Sequence, residues 1–340
     1  MHLSEFDYDL PAELIAQQPL AERDASRMLV LDRSTQTWTD SSFKQFADYL
    51  RNDDVVVVNN SRVIPARLKG RREETGGQVE IFLVREVEPK VWEALIRPGG
   101  RLKRGARVSF TNDLTAEILD KPGPELRRVR FECEDPFEQV LGEVGSTPLP
   151  PYIKQISDHD RERYQTIYAK ERGAIAAPTA GLHFTPEAVA KVKAHATLVE
   201  ITLHVGYGTF EPVRVGDVNE HTVSAERFDI SEAAAQAINS ARKNGGRVIV
   251  IGTTTMRALE SSATEKGEVR AGAAEATLTI KPGYKFRVAD ALLTNFHLPQ
   301  SSLLILVSAF AGREFILNAY RHAVAERYRF YSYGDCMLIL

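Results

Sequence analysis

The chain has 340 residues, of which 43% are hydrophobic and 26% are charged, and its net charge is −3. These values are typical of a globular protein with one large or two moderate domains, and the net charge gives no global sign of nucleic-acid binding. Its two cysteines, Cys133 and Cys336, lie far apart and outside any CxxC or Cys/His cluster, which argues against a disulfide framework and a structural zinc site. The start, MHLSEFDYDL, lacks the pattern of a signal peptide, and the longest apolar run, residues 303–311, is too short to span a bilayer. We therefore expect a cytoplasmic protein in a reducing compartment, with no membrane partner.

The first 62 residues predict alternating helices and strands. A helix begins at Pro11, where proline fits the first turn, and a short strand covers 26–33. An amphipathic helix is predicted over 43–51, and the apolar run at 55–58 suits a strand buried on both faces. The polar residues after this strand either contact a ligand, as at strand ends of open α/β sheets, or cap a turn. They are Asn59, Asn60, Ser61 and Arg62.

From 63 to 150 the pattern changes to short alternating segments separated by Gly, Pro, Asn or Asp. No segment there shows a convincing helical period, so we predict a small all-β barrel or sandwich. Because strand–helix alternation resumes afterwards, we interpret this region as an insertion, with 147–153 as a proline-stiffened return linker. The predicted fold class is α/β, a large mixed α/β domain formed by 1–62 plus 151–340 with an inserted small all-β barrel-like domain, 63–150.

Positive charge is concentrated in the inserted region. Residues 62–110 contain twelve Lys and Arg against six Asp and Glu, and the segment 97–107 has five basic residues and no acid. A local basic surface on an acidic protein suits a polyanionic partner that docks at one place, or it is the solvated rim of a β-hairpin. This feature alone leaves both interpretations open.

The second half again predicts alternating elements: helix 158–170, helix 185–195, strand 199–205, strand 247–252 and an apolar helix 302–311. Thr185 is the expected N-cap of its helix, and Ser231 is the expected N-cap of a further helix that ends at a Gly–Gly pair. The apolar helix must be interior. An amphipathic helix and a turn flanked by strands close the chain.

Two stretches combine a histidine with Gly, Thr and aromatic residues, a mixture for which a packing core has little use. They are PTAGLHFTPE, which contains His183, and VEITLHVGYGTFEPV, which contains His204. Glycines let the backbone approach a ligand, and hydroxyls and flat rings offer contacts to it. The alternative is a buried strand with a satisfied core histidine. The candidate substrate-contacting residues here are Thr179, Gly181, Gly206, Tyr207, Gly208, Thr209 and Phe210.

Polar residues at other strand ends extend the candidate site. The strand at 247–252 enters Thr253, Thr254 and Thr255, whose N–H groups and hydroxyls suit an anion, and Arg257 follows one turn later. The remaining candidates are Glu226, Asn295, His297, Tyr333 and Asp335. No HxH or HExxH spacing supports a metal site, and no GxSxG elbow supports a serine hydrolase. We therefore expect acid–base catalysis by histidine without a metal.

Long, unusual motifs occur along the whole chain, among them VVVNNSRVIPARLKGR, AAPTAGLHFT, LHVGYGTFEPV, IGTTTMRALES, LLTNFHLP and YRFYSYGD. With these motifs the chain resembles, from residue 1 to 340, the S-adenosylmethionine:tRNA ribosyltransferase-isomerase (QueA) family. The resemblance implies transfer of the ribosyl moiety of S-adenosylmethionine to 7-aminomethyl-7-deazaguanine at the wobble position of tRNA, giving epoxyqueuosine, adenine and methionine. It also implies an α/β domain with an inserted β-barrel. We expect no permanently bound cofactor, tRNAs with GUN anticodons (Asp, Asn, His and Tyr types) as partners, and a monomer.

The chain departs from the family pattern at two places. Where the family resembles HxMHxE, His221 and Glu226 are kept, but Val223 and Ser224 replace the methionine and the second histidine. Before KPGYKF the chain reads AEATLTI instead of a Trp-Thr-Asp-like segment. Substrate contacts at both places can therefore differ from those of the family.

We assign catalytic roles as hypotheses. The sulfonium of S-adenosylmethionine acidifies the hydrogens on the ribose C5′, and His183 or His204 is the expected base. The groups expected to help adenine leave are His297, Asn295 and Asp335.

Binding roles follow the same chemistry. An aromatic ring, from Tyr207, Phe210 or Tyr333, would pack on the sulfonium or purine, and the helix that begins at Thr253 would hold the methionine carboxylate. The residues expected to meet tRNA phosphates are Arg62, Arg67, Arg71, Arg101, Lys103 and Arg104. Two other classes of protein stay open, a non-catalytic RNA-binding module and a metal-dependent hydrolase.

Overall fold

The computed structural model describes residues 1–99, 102–111, 113–123, 125–148, 152–153, 160–210 and 212–340, with side chains left out at 160, 161, 209 and 210. The chain divides into two compact units. The α/β unit consists of Met1–Arg62, Pro151–Glu171 and Ala177–Leu340, and the barrel unit consists of Val63–Pro150 and Arg172–Ala176. Arg101 and residues 149–151 of the predicted return linker lie outside the described residues.

The strands of the described chain are β1 (Arg27–Asp32), β2 (Thr37–Ser42), β3 (Val55–Asn59), β4 (Ser61–Val63), β5 (Arg67–Arg72), β6 (Gln78–Glu88), β7 (Val91–Arg97), β8 (Arg107–Ser109), β9 (Thr115–Asp120), β10 (Leu126–Glu132), β11 (Glu171–Ala174), β12 (Thr197–Leu203), β13 (Glu226–Ile230), β14 (Val248–Ile251), β15 (Gly272–Ala276), β16 (Ala291–Asn295) and β17 (Cys336–Ile339). The α-helices are α1 (Phe137–Val144), α2 (Asp160–Arg163), α3 (Pro186–His195), α4 (Glu232–Lys243), α5 (Thr253–Ser262), α6 (Ser302–Ala311) and α7 (Arg313–Ala325). Short 3₁₀ turns include Ala12–Leu14, Phe43–Tyr49, Thr179–His183 and Tyr207–Phe210.

The α/β unit is built on a mixed nine-stranded sheet with the order β15-β13-β12-β3-β14-β16-β17-β1-β2. Its four central strands, β12, β3, β14 and β16, run parallel to one another. Antiparallel pairing adds β13 and β15 on one side and β17 on the other. β1 then runs parallel to β17, and β2 pairs antiparallel with β1. The valines of β3 are fully buried, as predicted for a central strand that is covered on both faces.

An aromatic core covers one face of this sheet. Phe184 lies 5.0 Å from Phe43 and 5.8 Å from Phe46, ring centroid to centroid, and all three pack in one cluster with Val56 and Val58. The residues that alternate with these along a strand point to the opposite face. Helices α4 and α5 pack against both β3 and β14, so the sheet is enclosed between two layers.

The barrel unit contains a closed barrel with the strand order β10-β7-β6-β5-β8-β9, in which the described pairs are antiparallel. Inward residues such as Leu68, Ile81 and Val129 are fully buried. Helix α1 packs Phe137 against Phe131, with 5.1 Å between ring centroids. The predicted fold class, a mixed α/β fold with a small inserted β-barrel, is confirmed. The expectation that this region holds no helix was wrong, because α1 is too short to show a clear period.

Most predicted elements of the α/β unit are present, and their caps are as expected. The Thr185 hydroxyl accepts from the N–H of Ala188, and Ser231 caps α4 in the same way. Three predictions were wrong in kind or length: residues 12–14 and 43–49 form 3₁₀ turns instead of α-helices, and the helix predicted to reach 170 ends at Arg163.

Helix α6 is interior, as its apolar sequence predicts. No single helix of the described chain is long and apolar enough to cross a membrane. The pair α6 and α7 passes that test only when the two are taken together, and they are bent by 116°.

Candidate active site

A cavity of about 200 Å³ lies within the α/β unit. Its walls come from the segment before β13, the loop after β15, the start of α6 and the turn before β17. The polar residues among them are His221, Ser224, Glu226, Arg257, Thr279, Gln300, Ser301, Ser302 and Tyr331, and Gly208 also lines the cavity. The cavity therefore brings together three predicted site residues, Glu226, Arg257 and Gly208.

A buried ion pair between Glu226 and Arg257 forms part of this wall. Only 4% of Glu226 and 7% of Arg257 is exposed, and Nη1 of Arg257 donates to Oε2 of Glu226. The other carboxylate oxygen accepts from the N–H of Gly206 at 2.9 Å. Nη2 of Arg257 also donates to the carbonyls of Ser224 (3.1 Å) and Ala276 (2.8 Å). The pair thus joins the start of β13 and the middle of α5 to the loop that follows β12.

Gly208 and Gly206 differ in how much room their backbones have. A Cβ on Gly208 would lie 2.6 Å from Oγ and 2.7 Å from Cβ of Ser224, whereas a Cβ on Gly206 would lie 3.7 Å from Cγ of Glu226. The first is a clash and the second is an ordinary contact. Gly208 is therefore required by the close approach of Ser224. Of the neighbouring candidates, Tyr207 is partly buried, and the side chains of Thr209 and Phe210 lie outside the described residues.

His221 and the start of α6 form a second part of the wall. Nε2 of His221 lies 2.8 Å from the hydroxyl of Ser302, and Ser301 caps the helix by accepting from the N–H of Leu304. Burial lowers the pKa of His221, and the nearby charge of Lys281 lowers it further. The imidazole is therefore neutral near pH 7. The positive end of a helix favours a negative group at this point.

Tyr331 lines the cavity with a backbone φ of 75°, a value that L-residues rarely adopt. The side-chain amide of Asn295 donates to the carbonyls of Tyr331 (2.9 Å) and Ser332 (3.2 Å). Oδ1 of Asn295 lies 2.9 Å from Nε2 of His183, and Nδ1 of His183 lies 2.9 Å from the hydroxyl of Ser26. This hydrogen-bonded chain, which reaches from Ser26, directly before β1, through His183 to the turn, holds Tyr331 in place.

His183 therefore has a partner on each ring nitrogen. Because the amide nitrogen of Asn295 is the donor to two carbonyls, its oxygen must accept, and Nε2 of His183 carries the proton. Burial lowers the pKa of His183 to about 4. The prediction that His183 is the base has no free nitrogen to support it. Its geometry instead supports the positioning of Asn295.

His297 is also interior. Its ring nitrogen Nε2 lies 3.1 Å from the hydroxyl of Thr294. Its backbone N–H donates to the Tyr320 hydroxyl at 3.1 Å, and its backbone carbonyl accepts from the Tyr8 hydroxyl. Burial lowers the pKa of His297 to about 3. These contacts are those of a core histidine.

His204 directly follows β12 and is partly buried. Its Nδ1 is buried and has no hydrogen-bond partner within the described residues. Burial lowers the pKa of His204, and the carboxylate of Glu171 opposes this effect. His204 does not line the 200 Å³ cavity, so the structure does not place its free nitrogen there.

Asn59 and Asn60 use their amides within the sheet. Nδ2 of Asn59 donates to the carbonyl of Leu203 at 2.9 Å, and its Oδ1 accepts from the N–H of the same residue at 3.0 Å. The Asn60 side chain accepts from Thr202 (2.8 Å) and donates to Glu200 (3.3 Å). Both amides join β3 to β12, which is a structural role and not a contact with the cavity.

The start of α5 and the turn at 179–183 lie beside each other but outside the cavity lining. Thr253, Thr254 and Thr255 are all buried, and the Thr255 hydroxyl donates to the carbonyl of Ile251 at 2.6 Å. These threonines therefore do not present an open anion site to the cavity.

The turn that holds Thr179 and Gly181 is shaped by packing. Thr179 is partly buried. A Cβ on Gly181 would lie 2.2 Å from the Tyr168 hydroxyl. Gly181 is therefore needed for packing against Tyr168, and nothing in its contacts within the described chain indicates a ligand.

Asp335 and Tyr333 follow the same pattern. Oδ1 and Oδ2 of Asp335 accept from the N–H groups of Arg27 (2.9 Å) and Arg329 (2.8 Å). Burial raises the pKa of Asp335, and these two hydrogen bonds oppose the rise. Tyr333 is buried and packs edge-on against Tyr164. Asp335 thus fixes the turn before β17.

The basic candidates of the barrel unit are on its surface. Arg71, Lys103 and Arg104 are exposed. Arg67 is partly buried, with Nε 3.9 Å from Glu80. Arg62, in the α/β unit, forms an ion pair with Glu162 at 2.6 Å. Across the described ranges, no three His, Cys, Asp or Glu side chains lie close enough together to hold a metal ion.

Comparison with known proteins accounts for the whole chain. Residues 3–339 match the family described as Queuosine biosynthesis protein. The S-adenosylmethionine:tRNA ribosyltransferase-isomerases of Syntrophotalea carbinolica and Citrifermentans bemidjiense are 51% and 52% identical to it over the full length of each chain. The crystal structure of S-adenosylmethionine tRNA ribosyltransferase from Thermotoga maritima is 37% identical, covers 99% of this chain and 100% of its own, and has a TM-score of 0.58.

A mixed α/β fold with an inserted barrel and a polar cavity beside the ends of the parallel strands is the arrangement of a substrate-binding enzyme. The chain belongs to the queuosine biosynthesis family and is one of its S-adenosylmethionine:tRNA ribosyltransferase-isomerases. The resemblance read from the sequence motifs is confirmed.

Proposed function

We propose that the α/β unit moves the ribosyl moiety of S-adenosylmethionine to 7-aminomethyl-7-deazaguanine at the wobble position of tRNA. The product is epoxyqueuosine, and adenine and methionine are released. The substrates are tRNAs with GUN anticodons. The observation that carries the proposal is the cavity wall, which combines a buried carboxylate, a neutral imidazole and an aromatic ring around one space.

The cavity is smaller than the roughly 300–1,000 Å³ of pockets that enclose a drug-sized ligand. We therefore infer that it takes one part of S-adenosylmethionine, the sulfonium with its methionine chain. The ring of Tyr331 and the carboxylate of Glu226 favour the positive sulfonium. The start of α6 at Ser302 favours the methionine carboxylate. We therefore assign carboxylate binding to α6 and no longer to the start of α5, whose threonines lie outside the lining.

His221 is our candidate for the base that removes a proton from C5′. The two carboxylate oxygens of Glu226 are already engaged, one by Arg257 and the other by the N–H of Gly206. Burial raises the pKa of Tyr331 to about 12, which keeps its phenol protonated. Among the lining residues that the structure describes, the remaining group that can accept a proton at pH 7 is His221, whose lowered pKa keeps it neutral. The sulfonium then stabilises the carbanion as an ylid.

The barrel unit is proposed to contact tRNA. Arg71, Lys103 and Arg104 are exposed, and exposed cations on one module suit phosphate contacts that position a duplex or loop. Arg67 is a weaker candidate because it lies near Glu80. The target base must leave its stack to reach an enzyme site.

The test is adenine release from S-adenosylmethionine with modified tRNA, with unmodified tRNA and with none, each measured with and without EDTA. Release only with the tRNA that carries 7-aminomethyl-7-deazaguanine supports the proposal. Release that stops with EDTA indicates a metal-dependent reaction. RNA binding without any release returns the chain to the class of RNA-binding modules.

The base is tested with His221→Gln and with His195→Gln as the matched control, since His195 is an exposed histidine on α3. We expect His221→Gln to lower kcat at least about a hundredfold and to remove the acidic limb of the kcat/KM profile. An unchanged profile would assign the base elsewhere, and His204→Gln would be the next variant.

A further inference from the structure

Three arginines of the α/β unit, Arg23, Arg163 and Arg329, lie near the turn that precedes β17: the first two interact electrostatically with Tyr333 of this turn, and the N–H of Arg329 donates to Asp335. Each is partly buried. Nη1 and Nη2 of Arg23 donate to the carbonyls of Leu182 and Glu162, both at 3.2 Å. Arg23 thus binds the two residues that directly precede His183 and Arg163 in the sequence.

The other two arginines are anchored to one neighbouring segment. Nη2 of Arg163 donates to the carbonyl of Leu20 at 3.3 Å, and Nη2 of Arg329 donates to the carbonyl of Gln18. The positive charges of all three arginines add to burial in lowering the pKa of His183. They therefore form one cationic group, called here the arginine cluster.

Within the part of the chain that the structure describes, two donors of the arginine cluster have no acceptor. Nη1 of Arg163 and Nη1 of Arg329 are buried and have no hydrogen-bond partner within the described chain. A buried polar group without a partner is costly, more so when it is charged. Burial and the charge of Arg23 lower the pKa of Arg163 to about 10, so this guanidinium is held in an unfavourable place.

Among the described residues, Glu162 and Asp335 act on the arginine cluster through space, but neither forms an ion pair with one of its guanidinium groups. The carboxylate of Glu162 is exposed and pairs with Arg62. Asp335 uses its two oxygens on backbone N–H groups, one of them that of Arg329. Two unused donors on three like charges match the oxygens of a phosphate or carboxylate.

We propose that the arginine cluster is an oxyanion-binding site, separate from the cavity and completed by a substrate. Both candidate oxyanions rest on the proposed function: a phosphate of the tRNA backbone, and the carboxylate of S-adenosylmethionine, which the start of α6 would otherwise hold. Bound oxygens accept from Nη1 of Arg163 and Nη1 of Arg329. The same turn carries Tyr331, so binding at the arginine cluster also orders the cavity wall.

The test compares wild type with Arg163→Gln, Arg329→Gln and the control Arg321→Gln, which removes an exposed guanidinium on α7. The first arm measures thermal unfolding in inorganic phosphate against chloride at equal ionic strength. We expect phosphate to stabilise wild type and the control but not the two cluster variants. This arm needs no substrate, so it stands even if adenine release fails.

Two further arms identify the oxyanion. Binding of an anticodon stem-loop RNA is measured against salt, and a lost phosphate contact weakens it about tenfold and lowers the salt slope by about 1. Binding of S-adenosylmethionine is compared with binding of its decarboxylated analogue. If a cluster variant has lost the carboxylate contact, it no longer binds S-adenosylmethionine more tightly than the analogue. Either change supports the site and names its ligand.

The proposal is overturned if the two cluster variants behave like the control in all three arms. Where a glutamine variant does not fold, Arg163→Lys and Arg329→Lys keep the charge and lose the paired donors, and they should bind phosphate weakly. A wild-type protein that phosphate does not stabilise, with RNA and S-adenosylmethionine binding unchanged in the lysine variants, also overturns it.

Discussion

Replacing Arg257 by methionine tests the buried ion pair of the cavity. The change removes donors to Glu226 and to three carbonyls, those of Ser224, Ala276 and Leu278. It leaves a carboxylate that is 4% exposed without its cationic partner, while the N–H of Gly206 still donates to it. Removing one member of a buried pair costs about 3–5 kcal/mol, which is a large part of the stability of a typical domain.

The chain provides a clean reporter for this measurement. It has two tryptophans, Trp38 in the α/β unit and Trp92 in the barrel unit. In a Trp92→Phe background, urea unfolding followed by Trp38 fluorescence reports the α/β unit alone. Trp38 packs against Phe315 with 5.9 Å between ring centroids, so its emission should shift when the helix layer separates from the sheet.

The charge itself is tested by adding Glu226→Gln to Arg257→Met. If the unpaired carboxylate causes the loss, the double variant is more stable than Arg257→Met, although it carries one more substitution. A loss below about 1 kcal/mol for Arg257→Met would place the pair among exposed ion pairs and refute the reasoning. A double variant that is less stable than the single one would show that lost packing, and not charge, dominates.

Two further predictions concern the glycines and the buried histidines. Gly208→Ala should lower adenine release by displacing Ser224, and adding Ser224→Gly should restore it. Gly206→Ala should leave adenine release near normal, because its new Cβ makes only an ordinary contact. Equal effects of the two single alanine variants would contradict this. The folded protein keeps His183 unprotonated until about pH 4, whereas the unfolded chain binds that proton below about pH 6.5. The contribution of His183 to the free energy of unfolding, about 3 kcal/mol, is therefore present above about pH 6.5 and is lost as the pH falls towards 4. His183→Asn should flatten the fall of the unfolding free energy between those pH values, and His195→Asn, at an exposed site, should not.

The parts of the fold that were predictable depend on local signals. The valine run at 55–58 marked β3, and the hydroxyls of Thr185 and Ser231 marked the starts of α3 and α4. The closure of the barrel and the order of the nine strands depend on pairings between distant segments, which no local pattern encodes. The choice between barrel and sandwich therefore needed the structure.

The candidate site was only partly predictable for a related reason. Glu226 and Arg257 were named from their positions at element ends, and they meet in the cavity. His183 and His297 lie in stretches rich in Gly, Thr or Asn that resemble binding loops, yet both side chains are buried and hydrogen-bonded to structural partners. A histidine becomes a candidate base only if a ring nitrogen is free, and that property depends on which distant side chains surround it. The turn that exposes Tyr331 to the cavity likewise depends on a distant side chain, that of Asn295.

The direction of two strands explains why residues that precede a strand also reach the site. Open α/β sheets bind ligands beyond the carboxyl ends of parallel strands. This rule predicts site residues only directly after a strand. β13 runs antiparallel to β12, with Leu203 opposite Phe228, and β17 runs antiparallel to β16, with Asn295 opposite Cys336. An antiparallel strand begins at the edge where its parallel neighbour ends, so the segments that precede β13 and β17 reach the same edge. The 221–226 segment and Tyr331 both line the cavity because they come before their strands.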